Sequence, residues 1–272
     1  MKRGIALMMI YVLALICAQA AAQPPAAERT FLKQIRFDQR LDAQMPLNTP
    51  LTDEAGVPVS LGRYLGRRPV ILVLGYYHCK NLCDVVLNGL VQSLNELDFK
   101  AGRDFDVVSL SIDPRDTPAM AEKRRKEVMQ RYYQPGSGGG WHILVGREPS
   151  IHKIAEAAGF GYAYDPKRDE YLHAAGIILL TSAGKISRYL YGVKYEPRDL
   201  RLGLVEASAD KIGTPVDQLL LRCFHYDPAT GKYTLMVIDI LRWSGSVLVL
   251  MMAGYIVVML RRERRAGREV PS

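Results

Sequence analysis

The chain has 272 residues, 49% of them hydrophobic and 24% charged, with a formal net charge of +8 and four cysteines. That balance excludes a disordered or collagen-like chain, and four cysteines in this length make no disulfide scaffold. A charge of +8 implies a nucleic-acid or anionic-membrane partner only if it is gathered on one surface, so its placement decides.

Residues 1–22 read as a secretory signal. Lys2 and Arg3 form the charged start, Ile5 to Ile16 the apolar stretch, and Ala18-Gln-Ala20 or Ala20-Ala-Ala22 the small-residue cleavage pattern. A lipoprotein anchor at Cys17 competes, but bulky Ile16 stands where such signals carry a small residue. At the other end, Trp243 to Leu260 is uncharged and strongly apolar, and a helix of that length reaches about 27 Å, close to a bilayer core. The expected transmembrane anchor helix covers 235–260, with Asp239 and Arg242 on the upstream flank of its apolar span and Trp243 suited to the interface. Arg261, Arg262, Arg264, Arg265 and Arg268 follow in a basic tail, 261–272, which the positive-inside rule places in the cytoplasm. The main domain then belongs on the periplasmic or extracellular side of a single-pass inner-membrane protein. The signal and the tail hold +2 and +3 of the charge, and the exported part keeps only +3, with no basic stripe interleaved with aromatics. No nucleic-acid partner is expected.

Between the ends, 23–29 is a Pro/Ala-rich flexible segment, 30–210 one domain, and 211–234 a connector. Val70 to Tyr76 is a short apolar, β-branched run, the mark of a buried strand. Leu82, Val86, Leu90, Leu94 and Leu97 recur at helical steps. Asp106 to Ile112 predicts a second buried strand, ended by the turn-rich segment Asp113 to Pro118. Ala119 to Tyr133 predicts a charged helix, Gly136 to Gly140 a loop, Trp141 to Val145 a third strand. Ser150 to Ala158 predicts a short helix with Ser150 as cap and Gly159 as stop. Ile177 to Leu180 and Ile186 to Tyr191 flank a turn and predict a hairpin. Strands alternating with helices and closing in a hairpin argue an α/β sheet covered on both faces.

The chemistry centres on Tyr76-Tyr-His-Cys-Lys-Asn-Leu-Cys83. Cys79 and Cys83 fall where the first strand gives way to a helix, and a spacing of four puts two side chains on one helical face. A helix N-terminus favours thiolate over thiol, so such a pair can close a disulfide, attack one, or hold a soft metal such as Cu(I). The plain alternative, two buried structural cysteines, is weakened by their position at the ligand-binding edge of an α/β sheet. Two thiolates leave a copper site incomplete, which turns attention to the histidines. His152 belongs on a surface helix and His142 inside a strand as a packing residue, while strand-end geometry points His78 away from Cys79. His173 lies on the loop Asp169-Glu-Tyr-Leu-His173 ahead of an apolar strand, and a loop histidine is more often bland than a ligand.

The order strand, Cys-x-x-x-Cys, helix, strand ending Ser111-Ile-Asp-Pro-Arg-Asp-Thr-Pro118, then a lone histidine before a hairpin strand resembles the Sco/SenC family. These are membrane-tethered copper chaperones for cytochrome c oxidase assembly with a thioredoxin-like fold, and the similarity spans roughly 30–210. The resemblance implies a central mixed sheet, copper, as Cu(I) or Cu(II), held by Cys79, Cys83 and His173, and a copper-centre subunit of a respiratory oxidase as recipient. It implies a metallochaperone rather than an enzyme. Asp113 matches a family aspartate and reads equally as a turn residue or a partner contact. Lys80 and Asp84 replace prolines beside the cysteines, the aspartate segment is one residue shorter than is common, and the anchor is C-terminal where many relatives have an N-terminal one.

Cys223 and His225, just ahead of the anchor, form a Cys-x-His pair that the resemblance does not explain. Either they make a second, low-coordination copper site or an interfacial contact, or they are a buried free thiol and a packing imidazole. The runner-up function is an exported thiol–disulfide oxidoreductase working on a partner's cysteines through the Cys79–Cys83 pair. Its usual Cys-x-x-Cys spacing is one residue shorter than here, and His173-Ala-Ala-Gly176 lacks the proline those enzymes carry before the strand. A thiol peroxidase would need a Cys activated by Thr and Arg neighbours, and Lys80 and Asn81 supply neither.

Overall fold

A computed structural model describes residues 34–77, 82–212, 224–227, 232–235 and 237–266. The chain divides into two compact units, Met1–Gly213 and Thr214–Ser272. In the first unit the elements run β1 (Pro50–Thr52), β2 (Pro58–Ser60), β3 (Val70–Gly75), α1 (Leu82–Asn95), β4 (Asp106–Ser111), α2 (Pro118–Arg131) and β5 (Trp141–Leu144). They continue with α3 (Glu148–Ala157), β6 (Tyr162–Asp165), β7 (Glu170–His173), β8 (Gly176–Leu180), β9 (Ile186–Tyr191) and α4 (Pro197–Ser208).

Five strands form the central sheet in the order β5-β4-β3-β8-β9. β3 runs parallel to β4, and β4 to β5, whereas β8 is antiparallel to both β3 and β9, so the sheet is mixed as expected. Every residue of β3, β4 and β8 is buried, which explains why they read as continuous apolar runs rather than alternating ones. Alternate side chains still serve opposite faces. Leu72, Leu74, Leu110 and Ile178 join Ile151 and Ile154 of α3 and Phe160 in one core, while α1, α2 and α4 pack together on the other side.

An N-terminal strap completes the first core. Phe37 sits edge-on between Phe160, Tyr189 and Tyr191 at 5.1–5.3 Å. Asp38 donates its N–H to the Gly159 carbonyl, and Gly161 to that of Arg36, both at 2.8 Å. Gly159 ends α3 as expected and has φ +64°, and a Cβ there would stand 2.1 Å from the Asp38 carbonyl oxygen. Only glycine meets both demands.

Several expectations change. α3 starts earlier, with Arg147 as its cap and Pro149 in its first turn, and Ser150 lies buried inside the helix. α2 begins at Pro118 because Thr117 caps it, its hydroxyl accepting the Met120 N–H. His173 is not on a loop: it ends β7, which pairs with β6 as a two-stranded ribbon in which Tyr162 faces His173. The short pair β1–β2 and helix α4 have no counterpart in the sequence reading. β1 and β2 are three-residue strands that each begin with proline, too brief to show a period.

His142 lies in β5 as expected and stacks on the Tyr64 ring at 4.3 Å, while His152 is exposed on α3. Burial pushes the His142 imidazole below its usual range, against the opposing pull of Asp106 on β4 and Glu54, with Arg125 and Arg68 assisting. Above the unfolded histidine value, about 6.5, both states carry neutral imidazole. As pH falls from there, the unfolded chain takes the proton first and the folded state loses stability. Urea midpoints of the wild-type chain should therefore drop on acidification below about 6.5, and His142→Gln should flatten that slope.

In the second unit, β10 (Phe224–Asp227) and β11 (Lys232–Leu235) form an antiparallel hairpin with His225 opposite Thr234, and α5 runs Val237–Ala266. The helix thus continues beyond Leu260 into the arginine-rich segment. Among the described residues no helix is long and apolar enough to cross a membrane. Side chains of 82–84, 224–227, 232–235, 237–244, 247, 260 and 262–266 are not among those described.

Candidate metal centre

The carboxyl ends of the parallel strands β3 and β4 open on one edge of the sheet, where α/β folds bind ligands. β3 leads through Tyr76 and Tyr77 into the cysteine segment. His78 and Cys79 lie outside the described residues, as do Cys223 and the signal 1–22. Cys83 is the second residue of α1, so its backbone sits in the first turn of that helix, as the sequence reading required.

His173 arrives at the same edge from the other direction. The antiparallel pairing of β3 with β8, Leu72 opposite Ile178, continues to bring Tyr76 across from the residues just before β8. The Tyr76 and His173 rings are 6.1 Å apart and nearly perpendicular, and Phe160 lies 5.5 Å from the same imidazole. His173 is 3% exposed. Its Nδ1 is 2.8 Å from the Ala174 carbonyl oxygen, which can only accept. Nδ1 therefore donates, and in the neutral imidazole Nε2 carries the lone pair, the tautomer a metal ligand needs. Among the described residues no group of three His, Cys, Asp or Glu side chains is gathered for a metal, and neither Cys79 nor the side chain of Cys83 is among them.

What holds the cysteine segment is a set of residues the sequence reading passed over. Tyr77 donates its backbone N–H to Asp116 Oδ2 at 2.8 Å, and its carbonyl accepts from Arg124 Nη2 at 2.9 Å. Asp116 Oδ2 also accepts the Ser111 hydroxyl at 2.5 Å. The Tyr77 hydroxyl lies 2.6 Å from the Leu144 carbonyl oxygen and 2.9 Å from that of Ser109, and burial pushes this phenol up, so it remains a donor. Asp116 and Arg124 are both buried, at 6% exposure each. The residue ahead of His78 is thereby tied to β4, β5, α2 and the turn before α2.

Asp113 is fully buried, and Arg115 grips it through Nε at 3.0 Å and Nη2 at 2.7 Å. The Arg115 N–H also reaches Asp113 Oδ1 at 2.8 Å. Of its two readings, this geometry answers to the turn residue. The signal for Asp116 was present in Ser111-Ile-Asp-Pro-Arg-Asp116, but nothing in one sequence tells which of the two aspartates takes the Tyr77 amide.

A sheet of this order, with a Cys-x-x-x-Cys segment at the end of its first parallel strand and a buried histidine beside it, is that of a thioredoxin-like protein. Residues 41–202 match the SCO1/SenC family model, and the chain belongs to that family. No curated protein matches it. Two structures from Aquifex aeolicus VF5, assigned to electron transfer and to electron transport, are each 25% identical. Both matches cover 62% of this chain, and they reach 95% and 99% of the Aquifex chains with TM-scores of 0.55 and 0.52. Arabidopsis thaliana ScoI with copper bound shares the fold at 21% identity and TM-score 0.50, over 62% of this chain and 99% of the other.

Because Asp116 serves two buried donors, Asp116→Ala should cost about 2–3 kcal/mol in urea unfolding, the penalty for leaving such groups unpaired. Hydrogen exchange at the Tyr77 amide should accelerate beyond the average for β3. Exchange no faster than that of β3 would mean Asp116 does not hold the segment.

Proposed function

We propose that the chain is a membrane-anchored copper metallochaperone, binding copper through Cys79, Cys83 and His173 and delivering it to the copper centre of cytochrome c oxidase during assembly. The observation that carries this reading is His173, a buried imidazole with Nδ1 fixed on the Ala174 carbonyl, standing beside the Tyr76 that leads into the cysteines. Family membership and the copper-bound ScoI of Arabidopsis thaliana support the choice of metal. Thiolates suit Cu(I), and the imidazole extends the range to Cu(II). Copper is cargo here, so the protein's part is to hold, shield and release it. Tyr76, Phe160 and the buried turn behind Tyr77 supply an ordered wall for that purpose.

Copper titration of the reduced full chain in detergent, beside His173→Ala and Cys79→Ser, tests the ligand set. Wild type should bind one copper, with Cys79→Ser losing it and His173→Ala weakening Cu(II) more than Cu(I). Unchanged stoichiometry and affinity in both variants would sink the assignment.

The membrane part of the proposal rests on the apolar segment Trp243 to Leu260 and the arginines after it. The full chain should stay in the membrane pellet after an alkaline wash, whereas a chain ending at residue 234 should be released. Release of the full chain would remove the anchor.

A further inference from the structure

The turn between β4 and α2 does more than hold Tyr77. Arg115 grips buried Asp113 with two of its nitrogens, and its third, Nη1, reaches Asp169 Oδ1 at 2.7 Å. Asp169 lies in the turn between β6 and β7, four residues ahead of His173 on the same ribbon. The Arg115 guanidinium lies 5.2 Å from the centre of the Tyr164 ring of β6, and the Tyr164 hydroxyl donates to the same Asp169 oxygen at 2.7 Å. One guanidinium thus touches the β4–α2 turn, both strands' connecting turn in the ribbon, and an aromatic ring on β6.

We infer that Arg115 is a positioning residue that latches the histidine-bearing ribbon to the turn holding the cysteine segment. The inference rests on the copper reading above. Asp116 fixes Tyr77 from one end of the turn, and Arg115 fixes Asp169 from the other. The separation of the two walls of the site is therefore set by a four-residue turn, Asp113 to Asp116. The ribbon β6–β7 is only two strands, and its pairing stands outside the central sheet. An isolated two-stranded ribbon is marginal in water, so a tether at its tip matters more than the same pair would on a helix.

The two halves of the latch differ in strength. Asp113 is out of contact with water, so its forked pair with Arg115 is permanent in the folded state. Asp169 is 67% exposed at its side chain, and an exposed pair of this kind is weak and screened by salt. Arg115 therefore stays with the turn, and it is the ribbon that can let go. Release would loosen His173, the ligand proposed on that ribbon, and leave Tyr77 held by Asp116. A site that can drop its imidazole without unfolding has a route for handing over its cargo.

Asp169 can be changed without stranding a buried charge, which Arg115→Ala would do at Asp113. Its φ of +52° is left-handed, a conformation glycine and asparagine accept. Asp169→Gly removes the tether and Asp169→Asn keeps an acceptor for Tyr164 and Arg115, so the second is the conservative rescue. In the metal-free full chain, Asp169→Gly should speed hydrogen exchange at Tyr171 and Leu172, and Asp169→Asn should restore most of the protection. On loading, Asp169→Gly should weaken Cu(II) by about tenfold, the lower end of what groups that orient ligands contribute, and reduce the imidazole nitrogen splitting in the Cu(II) resonance. Cu(I) affinity should change by less than about twofold, since the thiolates dominate it. Raising salt from about 0.05 to about 0.5 M should weaken Cu(II) binding in wild type more than in Asp169→Gly. If Asp169→Gly loses thermal stability yet keeps wild-type exchange, Cu(II) affinity and nitrogen splitting, its role is merely structural and the latch is overturned. If wild-type Cu(II) binding is itself indifferent to His173→Ala, the copper reading falls and the latch falls with it.

Discussion

Asp116 reaches back from the start of α2 to the end of β3 and takes the amide hydrogen of Tyr77 on the same oxygen that accepts from Ser111. The cysteine segment begins at the next residue, so the backbone that leads into it is held by a buried carboxylate as well as by the strand. Arg124 completes the hold by donating to the Tyr77 carbonyl from within α2. A buried charge that lost these partners would cost several kcal/mol, which makes the arrangement all-or-none.

Around that hold the rest of the edge is assembled by strand direction. β3 and β4 are parallel and end together, whereas β8 runs the other way and starts there. Any residue just before β8 is therefore delivered to the place where β3 ends, and His173 is three positions ahead of it. The imidazole is buried against Tyr76 and Phe160 and keyed by Ala174, so its orientation is decided by neighbours from three elements. Arg115 links this wall to the turn behind the cysteines. This chain braces the edge through Asp113, Arg115, Asp116 and Asp169.

Much of the frame was legible because burial leaves a periodic trace. The apolar runs of β3, β4 and β8, the helical spacing of Leu82 to Leu97 and the turn between β8 and β9 each announce an element without reference to any other. Gly159 as the stop of α3 was legible for the same local reason. Ser150 misled, since a serine near a helix start reads as a cap, but Pro149 had already opened the helix one turn earlier. The ribbon β6–β7 was missed because its strands carry tyrosines and charges in place of an apolar alternation, and it closes only by pairing with itself.

The sequence by itself determined the alternation of strands and helices, the closing hairpin and the helix that receives Cys83. Those properties depend on residue type and spacing along the chain, which a sequence displays directly. Tertiary structure alone decided that His173 is buried with Nδ1 committed to Ala174, that Asp113 is paired with Arg115, and that Asp116 is the aspartate that holds Tyr77. Two aspartates three residues apart in one turn look alike on paper. Both turn inward, and which of them takes the Tyr77 amide depends on β3 arriving beside β4, a contact between segments almost forty residues apart.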